Sequence, residues 1–231
     1  IIKDGLWDVY NDFHMGNAGE LCAKEFGFSR QEQDEYAALS YRRALDAMQQ
    51  HKFDREILPV TVPGPKGTSN TVREDEYPHK VLFEKIPHLR PVFDPEGTIT
   101  AANASNLNDG AAAVVLISGR KMKELGLTPL ARIAGFADAA KAPESFTIAP
   151  ADAVTKLLAH THHTAADINF YEINEAYACV AMANSRLLGI PEDKLNVYGG
   201  AVALGHPIGA SGARIVCTLL SVLHQEQGQY G

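Results

Sequence analysis

Two side chains in this sequence stand where chemistry is feasible: His206, inside Gly205-His-Pro207, and Asn174, at the head of Asn174-Glu-Ala-Tyr-Ala178. His206 belongs to the stretch Asn196 to Arg214, where Gly199, Gly200, Gly205, Gly209 and Gly212 crowd around one His-Pro pair. Glycine at that density costs backbone entropy, so a fold keeps it where chain approaches chain or ligand closely. Pro207 restricts the backbone of His206 and with it the directions of the ring. A positioned imidazole in a glycine-lined pocket before a helix suits acyl chemistry, because its Nε2–H can donate to an oxygen that gathers negative charge. An Asn side chain can hold a water or a carbonyl beside it, and the two together could make a thioester oxyanion hole. The plainer alternatives are a helix N-cap for Asn174 and a hydrogen-bonded structural histidine for His206.

These residues need elements to hold them. Residues 1 to about 56 read as helical. In Gln31 to His51 the apolar positions Tyr36, Leu39, Ala44, Leu45 and Met48 fall near helical spacing, and Ser29 precedes Glu32 in a capping-box pattern. Ile57 to Val62 reads as a short strand, Pro63 to Asn70 as a turn-rich loop, and Thr71 to Gly97 as an irregular lid. From Thr98 the chain turns small and β-tolerant, with a turn expected at Asn108-Asp-Gly110. Ala111 to Ser118 then reads as a strand buried on both faces. Further strands are expected at Ala131 to Asp138, Ile168 to Ile173 and Leu195 to Tyr198. Helices are expected at Lys121 to Leu125, Ala149 to Ala159, Glu175 to Leu188 and around Ile215 to Leu223. Helix and strand alternate in this second half, so the class is α/β, and ligands of open α/β sheets sit outside strand carboxyl ends.

The 231 residues allow one large domain or two smaller ones, and 45% hydrophobic content supports a substantial core. A net charge of −7 argues against nucleic acid as the main partner. No apolar run approaches a membrane span. Three cysteines without regular spacing (Cys22, Cys179 and Cys217) read as reduced thiols, not a disulfide framework. The chain opens at Ile1 without an initiator Met and closes on Tyr230-Gly231 as if more chain follows, so a fragment is expected. Two weaker patterns are set aside. His160, His162 and His163 lack a supporting Cys or carboxylate cluster for a metal, and Gly64-Pro-Lys-Gly67 lacks the spacing of a phosphate loop.

Taken together the motifs resemble the thiolase family. The resemblance rests on Asn174-Glu-Ala-Tyr-Ala178 and on Gly199 to Gly212. Phe13-His-Met-Gly16, Thr100-Ala-Ala-Asn-Ala-Ser105 and Leu107 to Ala113 add to it, so it runs over essentially the whole chain. Ile208 to Gly212, Tyr41 and Phe136 to Ala140 are most similar to the acetoacetyl-CoA-forming enzymes of the mitochondrial type. The resemblance implies the layered αβαβα thiolase fold, incomplete in this chain. Residues 1–107 would be a loop domain over coenzyme A, 108–128 the end of the first half, and 129–231 most of the second.

It also implies roles. His206 would bind the thioester oxygen of an enolising acetyl-CoA, and Asn174 would anchor a water completing that oxyanion hole. Ser105, His14 and Met15 would shape the pantetheine tunnel. Lys85 would contact coenzyme A, and Lys80 would lie near its adenine. Tyr41 matches a potassium-ligating tyrosine, with the backbone carbonyls of Ala101, Ala102, Ala104 and Val202 as further ligands. Oxygen-only ligation suits a hard cation of low charge. The plainer reading of Tyr41 is a helix tyrosine with a buried ring and a wet hydroxyl. Tyr177 stands where Phe is more usual.

The activity implied is condensation of two acetyl-CoA to acetoacetyl-CoA and coenzyme A, or the reverse, in a dimer or tetramer of the mitochondrial matrix or the cytoplasm. The two cysteines that the reaction needs lie, in the family, upstream and downstream of this segment. Cys22 falls in a probable helix and Cys179 and Cys217 read as small core residues, none of them a nucleophile, so these residues alone are expected to be inactive. The alternatives are a thiolase for longer 3-ketoacyl chains and a non-catalytic acyl-CoA-binding or structural subunit. A decarboxylating ketosynthase is disfavoured by the Asn174-Glu-Ala motif.

Overall fold

A computed structural model describes all residues from 1 to 231. β1 (Trp7–Asp8) and β2 (Phe13–His14) pair antiparallel and lead directly into α1 (Met15–Glu25). The segment expected to be helical throughout is therefore interrupted by a hairpin, after a π-helical turn at Ile2–Leu6. α2 (Arg30–Gln49) starts where Ser29 and Glu32 predict. Ser29 N–H donates to Glu32 Oε2 at 2.7 Å and Glu32 N–H to Ser29 Oγ at 3.2 Å, so the end satisfies its own donors.

The inward stripe of α2 carries Ala37, Tyr41, Ala44 and Ala47, at the spacing of one helix face. Small side chains there let other backbone come close. A Cβ on Gly199 would stand 2.6 Å from the Ser40 carbonyl oxygen, and the same glycine has φ +79°. Only glycine meets both demands.

β3 (Val60–Pro63) and β4 (Ser69–Val72) form an exposed hairpin, in register Val60 to Val72. Beyond it the lid is irregular, as its composition implies, with 3-10 turns at Pro78–Lys80 and Phe83–His88 seated against α2. The run from Thr98 is held by side chains instead of a sheet. Glu20 accepts from the N–H groups of Thr98 and Ile99, and Asn103 Oδ1 accepts from Thr100 N–H at 2.8 Å.

In the second half come α3 (Gly119–Glu124), α4 (Ala149–Thr161), α5 (Ala178–Leu188), α6 (Ala201–Leu204) and α7 (Ser211–Gln225). The expected helices are present, although α5 begins three residues later than Glu175. Gly189 closes α5 with φ +64°, the left-handed stop that glycine favours.

The strands differ from expectation. Ala111 to Ser118 and Ala131 to Asp138 carry no regular structure, and Asn108 to Gly110 makes no turn. Val115 is 93% exposed and Phe136 84% exposed. A doubly apolar strand exists only when sheet neighbours satisfy its backbone and cover both faces, and no segment of these residues pairs with either run. Ile168 to Ile173 and Leu195 to Tyr198 do lie side by side, joined by one parallel pairing, Tyr171 with Leu195. Four apolar clusters form the core, the smallest joining Ala38, Ile86 and Ala102. One joins α2 to α6 and α7 around Tyr41, Tyr198 and Val202. One joins α1 to α5 around Ile99, Tyr177 and Cys179. One lies under Tyr171, Ile173 and Leu195.

Candidate active site

The strap from Asn103 to Leu107 organises the site. On one edge Ala178 N–H donates to Asn103 O at 2.8 Å, and Ser105 N–H and Oγ both donate to Ala176 O, at 3.0 and 2.9 Å. On the other edge His206 N–H donates to Asn106 O at 2.8 Å, and Leu107 pairs in parallel with His206. Ser105, the Asn174 motif and His206 are thereby brought to one place. Asn174 Nδ2 lies 3.4 Å from His206 Nε2. Asn174 is not an N-cap: Tyr177 occupies that position at the head of α5, without a side-chain cap. The Oδ1 atom of Asn174 is buried and has no protein partner. A buried acceptor left free in this way fits a bound water or a ligand donor.

The hydrogen bonds decide where the imidazole proton sits. His206 Nδ1 is 2.5 Å from Ser211 Oγ. Ser211 Oγ also lies 3.2 Å from Pro207 O, but that carbonyl already accepts from Ala210 N–H at 2.7 Å and Ser211 N–H at 2.9 Å. The contact to Nδ1 is the much shorter one and the carbonyl already accepts twice, so the serine proton is assigned to His206 Nδ1. Nε2 then carries the ring proton, with Asn174 Nδ2 3.4 Å away. Burial, and after it the Arg214 guanidinium, hold the His206 pKa below the ordinary imidazole value. The ring is therefore neutral near neutral pH, an imidazole donor rather than an imidazolium.

Around this pair lie further buried polar groups. Arg214, on the first turn of α7, reaches Thr218 Oγ1 through Nη1 at 3.3 Å and leaves Nε and Nη2 without partners. Glu172 keeps an unpartnered Oε2, and burial pushes its carboxyl up to about 8 against the pull of Arg214. Thr218 and Ser221 of α7 donate to Glu56, at 3.0 and 2.6 Å.

The remaining expected residues divide. His14 accepts from Gly16 N–H and so caps α1, and its ring stacks on Phe93 at 4.8 Å. Phe93 in turn meets Tyr177 edge-on, which links His14 and Met15 to the Asn174 motif. Tyr177 is buried against Gly19 and Ile99, and burial raises its hydroxyl pKa. Lys80 and Lys85 lie exposed on the lid turns against α2, and Lys80 pairs with Glu76 at 3.0 Å. Neither is drawn to His206.

Tyr41 is fully buried, with Tyr77 and Phe83 against its ring and the Tyr77 hydroxyl beside its own. Val202 packs in the same cluster, while Ala102 packs on Ala38 one turn earlier in α2. The carbonyls of Ala101, Ala102 and Ala104 accept no backbone hydrogen bond. A phenol oxygen and carbonyl oxygens are the donor types that a hard monovalent cation takes.

Cys22 and Cys179 are buried where α1 packs on α5, and Cys217 Sγ faces Ala113 O. No cysteine bonds to His206 or Asn174. His162 ends α4 in the left-handed region, and His163 bonds Thr161 O and packs on Tyr230, so the histidine cluster has a local structural use.

Residues 1–120 match the family model described as the thiolase N-terminal domain, and residues 127–231 match the thiolase C-terminal domain. The chain belongs to the thiolase family. Among curated relatives, this thiolase chain is 54% identical over 231 residues to acetyl-CoA acetyltransferase IA of Candida tropicalis, covering 99% of this chain and 57% of that protein. It is 52% identical over 233 residues to acetyl-CoA acetyltransferase 2 of Arabidopsis thaliana, covering 100% of this chain and 58% of that protein. Among solved structures, the acetyl-CoA acetyltransferase of Bacillus anthracis superposes with a TM-score of 0.93 at 39% identity, covering 96% of this chain and 56% of that one. The Acat5 thiolase of Ascaris suum, solved in complex with coenzyme A, gives 0.90 at 43% identity over the same shares. The thiolase fold is therefore that of this chain, which spans a little over half the length of the relatives it matches.

Sequence reasoning missed three members of this site. Ser211 carries a usable signal: it stands five residues after His206, at the first position of a helix. Arg214 and Glu172 carry none, because only the packing sets the Arg214 charge against both the histidine and Glu172.

Proposed function

We propose that the protein carrying this chain is an acetyl-CoA acetyltransferase that joins two acetyl-CoA into acetoacetyl-CoA and coenzyme A, and catalyses the reverse thiolysis. The observation that carries this reading is the 3.4 Å approach of His206 Nε2 and Asn174 Nδ2, with Nδ1 of the histidine closed off by Ser211. A His206 Nε2–H and a water held by Asn174 hold an oxygen better as it becomes negative than when it is a neutral thioester carbonyl.

The reaction order follows. An acetyl group passes from one coenzyme A thioester to a cysteine thiolate, releasing coenzyme A as the leaving thiolate. A second cysteine removes a methyl proton from the other acetyl-CoA, and the enolate oxygen sits against His206 and a water held by Asn174. The enolate carbon attacks the acetyl-enzyme and the first thiolate leaves. On the family resemblance both cysteines belong to parts of the whole protein flanking these residues, with 1–107 as the covering loop domain. Residues 108–128 would then close the first half, and 129–231 would form most of the second.

Ser105, His14, Met15, Lys85 and Lys80 are assigned to the coenzyme A path. The Ascaris suum relative, which holds coenzyme A, supports that substrate class. Tyr41 with the carbonyls of Ala101, Ala102, Ala104 and Val202 would hold potassium, which supplies fixed positive charge that ties the lid to α2 and α6. A homo-oligomer in the mitochondrial matrix completes the reading. It rests on the likeness of Tyr41 and of Phe136 to Ala140 to the mitochondrial-type enzymes.

The test is thiolysis of acetoacetyl-CoA by the whole protein and by H206A. Loss of one oxyanion donor lowers kcat by about a hundredfold or more. A change of less than about threefold refutes the assignment.

A further inference from the structure

Glu175 follows Asn174 directly and is fully buried. A carboxylate inside a fold is expensive unless charge or hydrogen bonds compensate it. No Lys, Arg or His forms an ion pair with this one. Four donors serve it instead. Tyr36 Oη and Asn196 Nδ2 each donate to Oε1 at 2.8 Å. Ser40 Oγ at 2.8 Å and Val202 N–H at 3.1 Å donate to Oε2.

The donors come from three directions. Tyr36 and Ser40 belong to α2. Asn196 also exchanges two bonds with Ile173, the residue before Asn174: its Oδ1 accepts from Ile173 N–H at 2.9 Å and its Nδ2 donates to Ile173 O at 2.8 Å. Val202 N–H is a free donor at the start of α6, the short helix that delivers Gly205 and His206. Gly200 presses so closely on the carboxylate that any Cβ there would overlap it, and its N–H donates to Ser40 Oγ at 3.0 Å.

We propose that Glu175 is the positioning residue that sets the His206–Asn174 pair, tying the Asn174 strand end and the α6 turn to one another through α2. This rests on the oxyanion-hole reading above. The bonds themselves make the role specific to a carboxylate. The Ser40 and Tyr36 hydroxyls can rotate to donate or accept. Val202 N–H and the doubly held Asn196 amide cannot. Each carboxylate oxygen faces one of these fixed donors, so a glutamine in either flip turns its NH2 against one of them. One side of the clamp must then open, moving either the amide or the imidazole.

The test compares E175Q, E175D, Y36F and S40A in the whole protein. E175Q is expected to lower kcat for acetoacetyl-CoA thiolysis by about thirtyfold or more, with KM moving less than about threefold. Y36F and S40A, which each remove one α2 tie and leave the fixed donors in place, lower kcat by less than E175Q does. E175Q also shifts the 15N resonances of the His206 ring, and by more than Y36F does.

A folded E175Q with kcat within about threefold of the parent, or with unmoved His206 resonances, overturns the proposal. Should E175Q not fold, E175D decides. It keeps the charge but draws the oxygens back by one methylene, and kcat within about threefold of the parent overturns the proposal there too. H206A run alongside separates the two readings. If H206A is fully active the oxyanion assignment falls, while the ring resonances still report whether Glu175 positions His206.

Discussion

Replacing Ser211 with Ala tests the assignment of the imidazole proton. The serine is 4% exposed and its Oγ lies 2.5 Å from His206 Nδ1. Its backbone N–H, bound to Pro207 O, survives the change, so the start of α7 keeps its first turn. What is lost is the proton that makes Nδ1 an acceptor. A buried polar atom left without its partner costs about 1–3 kcal/mol. In S211A the preference for Nε2–H weakens by up to that amount, and a ring carrying its proton on Nδ1 offers no donor to the substrate oxygen. At about 1.4 kcal/mol per tenfold, the tautomer ratio should move about 5- to 150-fold toward Nδ1–H, and kcat should fall in proportion to the Nε2–H fraction lost, with KM for acetoacetyl-CoA nearly constant. Thr keeps the hydroxyl, so S211T should stay within about threefold of the parent. Steady-state thiolysis kinetics give the rates, and 15N chemical shifts of the His206 ring give the tautomer directly. Unchanged kcat in S211A, or a loss in S211T as large as in S211A, would refute the reasoning.

Two other outcomes follow from the same geometry. Glu172 has a folded pKa pushed up to about 8, well above the usual carboxylate value, so the folded state holds a proton there that the unfolded chain releases. Its contribution to stability is complete below about pH 4 and is lost as pH rises toward about 8. E172Q should therefore flatten the fall in urea midpoint between about pH 5 and pH 8, and an unchanged slope would dispose of the claim. Potassium chloride should raise the melting temperature of the parent above its value in sodium chloride, and Y41F should lose that difference. Equal melting in both salts would remove the cation site.

Local order is largely legible in the amino-acid sequence. The Ser29–Glu32 box, the left-handed Gly189 stop and the face of α2 are short-range signals, written within one or two helical turns. Strands are not legible in the same way. Ala111 to Ser118 is apolar enough to be a strand, yet a strand is completed by a neighbour, and these residues contain none that pairs with it.

The amino-acid order alone determined that one histidine stands among glycines before a helix and that the single Asn-Glu-Ala motif precedes a second helix. It also determined how densely small residues line α2, because composition and spacing are properties of the chain itself. The tertiary structure decided the rest. It brought Asn174 and His206 within 3.4 Å by hanging both on the strap from Asn103 to Leu107. It chose the imidazole proton by filling the Pro207 carbonyl from the backbone, and it put the Glu175 carboxylate where α2, Asn196 and α6 meet. Hydrogen bonds between residues far apart in sequence have no period or motif to announce them. They exist only once packing has fixed which donors a buried acceptor can reach.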